Sequence, residues 1–239
     1  MVTECRGWGC RKQRGGLQCE VAMLFGSKTP PSRSELITEA DLARSKGRLN
    51  KAISGYRKAL ELEPKDAIVL GKLAPLLART RQAQAALESF RAAAQAHLDK
   101  GFADKAQAVY AQATELFPLE LELWRQVAQL HVQKGHRAEA VKTLLRGRLH
   151  FRRSSERPGA ILLLRETLAL DATLFEVKLD LVLQLARQRE REEALAMLEP
   201  LAAEARGPRQ VRKLRWTQAQ VTPGLGTFLA WLRAWVLGR

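Results

Sequence analysis

The chain has 239 residues, of which 46% are hydrophobic, 27% charged and 6% aromatic, with a formal charge of +15. That balance excludes a disordered polypeptide, and abundant Ala and Leu beside sparse Val, Ile, Thr and Tyr point to an all-α fold. The positive charge gathers at the ends: residues 1–33 hold six basic and two acidic residues, and residues 206–239 hold seven basic and none acidic. The stretch between them is mixed and close to neutral, as a solvated helical surface would be.

Residues 1–33 read as a poorly ordered basic tail. Cys5, Cys10 and Cys19 lie there without a histidine, at spacings that do not fit a zinc site, so neither metal nor cofactor is expected. The apolar run Val21-Ala22-Met23-Leu24-Phe25 is too short for a secretory signal or a membrane span and is preceded by Glu20. Met23 is a candidate alternative start of translation. After Thr29-Pro30-Pro31-Ser32, helices are expected at 35–46, 50–63, 67–79, 83–99, 103–117, 121–134, 137–151, 158–170, 174–188 and 191–205, on apolar positions at helical spacing between glycine and proline stops. Gly207-Pro208 is expected to close this 34–206 domain. Residues 207–239 then hold a basic segment that extends to an eleventh helix and an amphipathic last helix delayed to about 227 by Gly224 and Gly226. On that last helix Phe228, Trp231, Leu232, Trp235 and Val236 form one apolar face, expected to cap the end of the stack.

Leu36, Ala40, Gly47, Ala52, Tyr56, Ala59 and Pro64 resemble the tetratricopeptide repeat family at its most recognisable positions. Glu39 and Ala43 depart from that pattern, where larger apolar residues are usual. The resemblance implies a right-handed α-solenoid of helical hairpins, here degenerate and about ten to twelve helices long. The small residues let helix backbones approach and the bulky ones fill the space between hairpins. The marks recur at alternating steps: Ala52 to Ala86, Ala106 to Ala140 and Ala160 to Ala194 are each 34 apart, and the step between pairs is 20. The larger period is therefore 54, which holds three helices, and the helices near 84–99 and 137–151 each serve two hairpins.

No catalytic constellation emerges, and an enzyme is not expected. His97, His131, His136 and His150 lack a paired carboxylate or cysteine at useful spacing, and no phosphate loop or nucleophile elbow is present. The resemblance implies a groove lined by the first helix of each hairpin and nominates Arg44, Arg79, Arg91, Gln95, Arg125, Gln129 and Gln133. Its arginines would suit an acidic peptide. An inverted helix parity would move part of this lining to the convex side. The chaperone-tail clamp known in some family members is absent, since its places hold Ile37, Asp41, Lys72, Glu88 and Ala92.

Two basic stretches remain: Arg146, Arg148, His150, Arg152, Arg153 and Arg157, and Arg206 with Arg209, Arg212, Lys213, Arg215 and Trp216. They are candidate phosphate or lipid contacts, with Trp216 available to stack on a base. The expected molecule is a cytoplasmic protein-interaction scaffold or adaptor that takes a protein or peptide partner. The alternatives are a nucleic-acid-binding helical repeat using the basic segment and a membrane-associated adaptor using the last helix.

Overall fold

The computed structural model describes residues 31–237; Cys5, Cys10, Cys19, the apolar run around Met23 and Arg239 lie outside them. Twelve α-helices follow one another among the described residues: α1 (Arg33–Ser45), α2 (Leu49–Leu62), α3 (Ala67–Arg79), α4 (Ala83–Leu98), α5 (Ala103–Leu116), α6 (Leu121–Gln133), α7 (Arg137–Arg148), α8 (Arg157–Leu170), α9 (Phe175–Gln188), α10 (Arg191–Glu204), α11 (Gly207–Val221) and α12 (Leu225–Leu237). A 3₁₀ turn, Ser154–Glu156, precedes α8. Each helix packs on its chain neighbours, which makes an all-α solenoid. The 54-residue period holds to the residue at the helix starts: Leu49, Ala103 and Arg157; Ala67, Leu121 and Phe175; Ala83, Arg137 and Arg191.

The six alanines that mark the period, Ala52, Ala86, Ala106, Ala140, Ala160 and Ala194, are all fully buried. A larger side chain at any of them would drive apart two backbones in contact, which is why a small residue recurs there. The turns obey the same rule. Gly47, Arg81, Gly101, Gly135 and Arg189 take positive φ just after helix ends. The amide after each donates back to a carbonyl five residues earlier, from Arg48 to Ala43, Gln82 to Leu77, Phe102 to His97, His136 to His131 and Glu190 to Leu185, at 2.8–3.0 Å. This left-handed cap satisfies carbonyls that the helix end would strand. Two such caps flank α4, so α3, α4 and α5 are joined by two tight turns in succession. Consequently α4 buries about half its circumference through Ala86, Leu87, Phe90, Ala93, Ala94 and Ala96.

Side-chain bridges skip one helix and reveal two layers. Lys72 of α3 meets Asp41 of α1 at 2.7 Å, Arg146 of α7 meets Glu115 of α5, Arg148 of α7 meets Asp180 of α9, and Lys213 of α11 meets Glu176 of α9. In the other layer Arg57 of α2 reaches Gln82 before α4, Arg91 of α4 reaches Glu120 before α6, Arg125 of α6 reaches Glu166 of α8, and Arg165 of α8 reaches Glu193 before the second turn of α10. Odd-numbered helices thus lie side by side, as do even-numbered ones.

Three expectations change at the carboxyl side. Gly207-Pro208 opens α11 rather than closing the stack: Gly207 takes φ 80° and Pro208 occupies the first turn, where its missing amide is harmless. Helix α11 then packs on α9 and α10, as earlier helices pack on theirs. Helix α12 begins at Leu225, before Gly226, because the Thr227 hydroxyl donates to the carbonyls of Thr222 and Gly224 and ties down the first turn. It caps α11 by its small-residue side, with Ala234 1% exposed, while Phe228, Leu229, Leu232, Trp235 and Val236 face outward. At the opposite end Ala43 is buried and Glu39 is exposed and paired with Lys51.

Candidate functional site

The nominated groove residues do not share one face. Because α4 ends one hairpin and begins the next, the hairpin's first helix changes layer there: Arg44 on α1 and Arg79 on α3 fall in the odd layer, whereas Arg91 and Gln95 on α4 and Arg125, Gln129 and Gln133 on α6 fall in the even one. The even layer carries two adjoining hollows. The first, about 340 Å³, is lined by Arg91, Ala92 and Gln95 of α4, Tyr110 of α5 and Glu122, Leu123 and Gln126 of α6. The second, about 270 Å³, lies between α6 and α8 with Leu144 of α7 beneath; its walls include Arg125, Gln129, Val132, Glu166 and Leu170. Glu122 belongs to both, so they form one strip across α4, α6 and α8.

The strip's floor follows from the repeat. Tyr110 and Leu144 occupy the bulky slot of consecutive hairpins, 34 residues apart, and fill the inter-hairpin space from the odd layer. Burial raises the Tyr110 hydroxyl above the ordinary tyrosine range, so it stays a neutral donor and acceptor. The rim is a chain of paired charges. Arg91 meets Glu120 at 3.0 Å; Arg125 meets Glu122 at 2.8 Å and Glu166 at 2.6 Å, and Gln126 donates to Glu122 at 2.7 Å. The Glu166 hydrogen bond is the largest influence holding the Arg125 guanidinium above its already high range. Both arginines of the strip are therefore already engaged by carboxylates of the chain. Gln95 donates to Asp99, and Gln129 and Gln133 are exposed on α6.

Sequence spacing alone reaches part of this site. Glu122 and Gln126 sit three before and one after Arg125 on the same helix and were open to inference. Glu166 stands 41 residues from Arg125, and Tyr110 and Leu170 come from other helices; only the layer geometry brings these together.

In the odd layer Arg44 lies 3.5 Å from Asp41, and Arg79 is exposed. Asp41 also accepts from the Tyr56 hydroxyl and from Lys72. Burial pushes the Asp41 carboxyl up, but the Lys72 and Tyr56 hydrogen bonds and the nearby cations together bring it below the usual range. Tyr56 is correspondingly held well above its ordinary value, by burial first and then by Asp41. This cluster joins α1, α2 and α3.

The basic stretch around Arg152 is neutralised or internally bonded. Arg146 and Arg148 pair with Glu115 and Asp180, Arg152 and Arg157 donate to backbone carbonyls, and the His150 ring stacks on Trp124. Of the second stretch, Arg209, Arg212, Lys213, Arg215 and Trp216 lie on α11, and Arg206 immediately precedes it. Lys213 pairs with Glu176 and Arg215 donates to Gln218, whereas Arg209 and Arg212 are exposed without an ion pair among the described residues. Trp216 is half-exposed, its ring 5.0 Å from that of Trp231. Among the described residues no group of three or more His, Cys, Asp or Glu is placed to hold a metal ion.

Residues 36–66, spanning α1, α2 and the turn to α3, match the tetratricopeptide repeat family. No curated protein matches the chain significantly. Similar solved structures include a tetratricopeptide repeat protein from Parabacteroides merdae, at 16% identity over 87% of this chain and 93% of that one, with a TM-score of 0.33. Yeast Tom70 is 17% identical over 79% of this chain and 39% of its own, with a TM-score of 0.34. YrrB, described as a TPR protein with an unusual peptide-binding site, is 17% identical over 83% and 90%, with a TM-score of 0.28. The matched first hairpin resembles a tetratricopeptide repeat, and the recurrence of its buried small residues and left-handed turns along the described residues makes this chain an all-α helical-repeat protein.

Proposed function

We propose that the chain is a protein-interaction scaffold and that the strip across α4, α6 and α8 is where a partner segment lies. The observation that carries this reading is the pair of adjoining hollows, each with an apolar or aromatic floor and a rim of glutamines and Arg–Glu pairs. Preformed hollows on rigid helices let a ligand bury side chains without ordering a loop of the scaffold. The exposed amides of Gln95 and Gln129 offer a donor and an acceptor to a peptide backbone.

The occupant we favour is a segment of mixed polarity rather than a polyacidic one, because Arg91 and Arg125 already hold carboxylates. The two hollows lie one helix spacing apart, roughly 10 Å. Apolar anchors at i and i+7 of a helix, or at i and i+3 of a polyproline II segment, match that distance. Ligands selected from a random peptide library on the full chain should carry anchors at such spacing. They should lose roughly tenfold or more in affinity when Ala92→Arg and Gln129→Arg obstruct both hollows. Both positions are exposed, so the thermal melt should not move. Ligands indifferent to the double variant would remove the strip from consideration.

A further inference from the structure

Helix α12 buries the wrong side for a simple lid. At 100° per residue, Phe228, Leu229, Leu232, Trp235 and Val236 occupy one continuous outward arc, with Arg233 at its edge, whereas Ala230, Trp231 and Ala234 turn toward α11. Trp235 is 61% exposed and Val236 64%. The arc continues onto α11 through touching rings: Phe228 to Trp231 at 5.5 Å and Trp231 to Trp216 at 5.0 Å. On α11, Arg209 and Arg212 precede Trp216 at seven and four residues and share its side of the helix.

The charge around this patch has one sign. No Asp or Glu occurs after Glu204. Arg209, Arg212 and Arg233 are exposed and make no ion pair among the described residues. An apolar arc containing tryptophan and rimmed by unpaired arginines is the arrangement that an anionic lipid surface complements: the rings enter the headgroup boundary and the guanidinium groups meet phosphates. A second copy of the same patch would set arginines against arginines. A partner helix would need a groove between two helices, whereas among the described residues α12 packs chiefly on α11 and presents its arc as the outer face of one helix.

We propose that the α11–α12 edge docks the scaffold on an anionic bilayer, with α12 lying in the plane of the interface. Its 13 residues are too short to span, and among the described residues no helix is long and apolar enough to cross a membrane. This docking is independent of the strip on α4, α6 and α8, which stays open to solvent on other helices.

The test is co-sedimentation of the full chain with vesicles of phosphatidylcholine alone or mixed with phosphatidylserine, at low and high salt, with tryptophan emission as a second readout. Binding and a blue shift are expected only with the mixed vesicles, weakening as salt rises. Leu232→Glu with Trp235→Glu should abolish both. Arg209→Gln, Arg212→Gln and Arg233→Gln should each lower the vesicle partition roughly fivefold, and these exposed positions report on docking even if the glutamate variant fails to fold. Equal partition onto neutral vesicles, or no change with either set of variants, would overturn the proposal. So would self-association that disappears with Leu232→Glu and Trp235→Glu in a protein that ignores vesicles.

Discussion

Six alanines with no exposed surface carry the architecture, and each was visible in the chain as a member of an arithmetic series. What no series shows is how neighbouring positions trade volume. Trp124 stands where the preceding unit has Leu70, and Gly147 stands where that unit has Ala93, so a larger side chain on α6 coincides with a smaller one on α7. A methyl group built on Gly147 would lie 2.7 Å from the Trp124 ring. Glycine is needed here for space, whereas at Arg81 (φ 61°) and Arg189 (φ 74°) the backbone conformation favours glycine and the chain lacks it. Exchanges should therefore have opposite signs. Gly147→Ala should destabilise by about 1–3 kcal/mol through overpacking, while Arg81→Gly and Arg189→Gly should each stabilise by about 0.5–1 kcal/mol. Urea titrations monitored by circular dichroism give all three values, and a stabilised Gly147→Ala would contradict the packing account.

At the level of the helix, the periodicity of apolar positions located every boundary from α1 to α10 to within a few residues, because those helices bury a stripe against two neighbours. It misjudged α12, where an apolar stripe was equated with the buried one. The helix instead packs through Ala230, Trp231 and Ala234, and hydropathy alone does not report that the small alanines of α12 are the side that turns inward. Two half-buried histidines tie helix packing to pH. Burial is the main influence lowering both His97 on α4 and His131 on α6 below the ordinary histidine range, and the Nδ1 atoms of both are buried without a hydrogen-bond partner among the described residues. In the folded state they resist protonation while the unfolded chain takes protons near pH 6.5. Their contribution to stability is thus present above that value and is lost as pH falls through the lower folded-state values. The denaturation midpoint should drop between pH 7.5 and pH 5.5, and His97→Gln with His131→Gln should flatten that dependence; an equally steep profile in the double variant would refute it.

Over the whole molecule, stability in a linear stack is a sum of neighbour contacts, so the unit that can be removed is the unit that restores every junction. Deleting residues 103–156 joins the α4 turn to Arg157 and leaves each helix beside a neighbour of the same class as before. Deleting residues 103–136, the 34-residue period of an ordinary hairpin, instead sets α7 after α4, two helices of one class whose faces were never complementary. The first deletion should yield a soluble protein with a cooperative melt and the second an aggregating one; the reverse outcome would show that 34, not 54, is the structural unit. The strip of hollows proposed for a partner was the least legible feature for the same reason, since its lining depends on which layer each helix enters. An odd number of helices per unit in a two-layer stack relates successive units as a twofold screw does, by a half-turn and an advance: each step repeats the last one on the opposite side. Gln133 stands on the side that carries the proposed partner strip, while its counterparts 54 residues away, Arg79 and Arg187, stand across the solenoid from it. A binding surface in such a chain cannot be lengthened by copying one unit; only a copied pair, about twice the 54-residue period, returns to the same side.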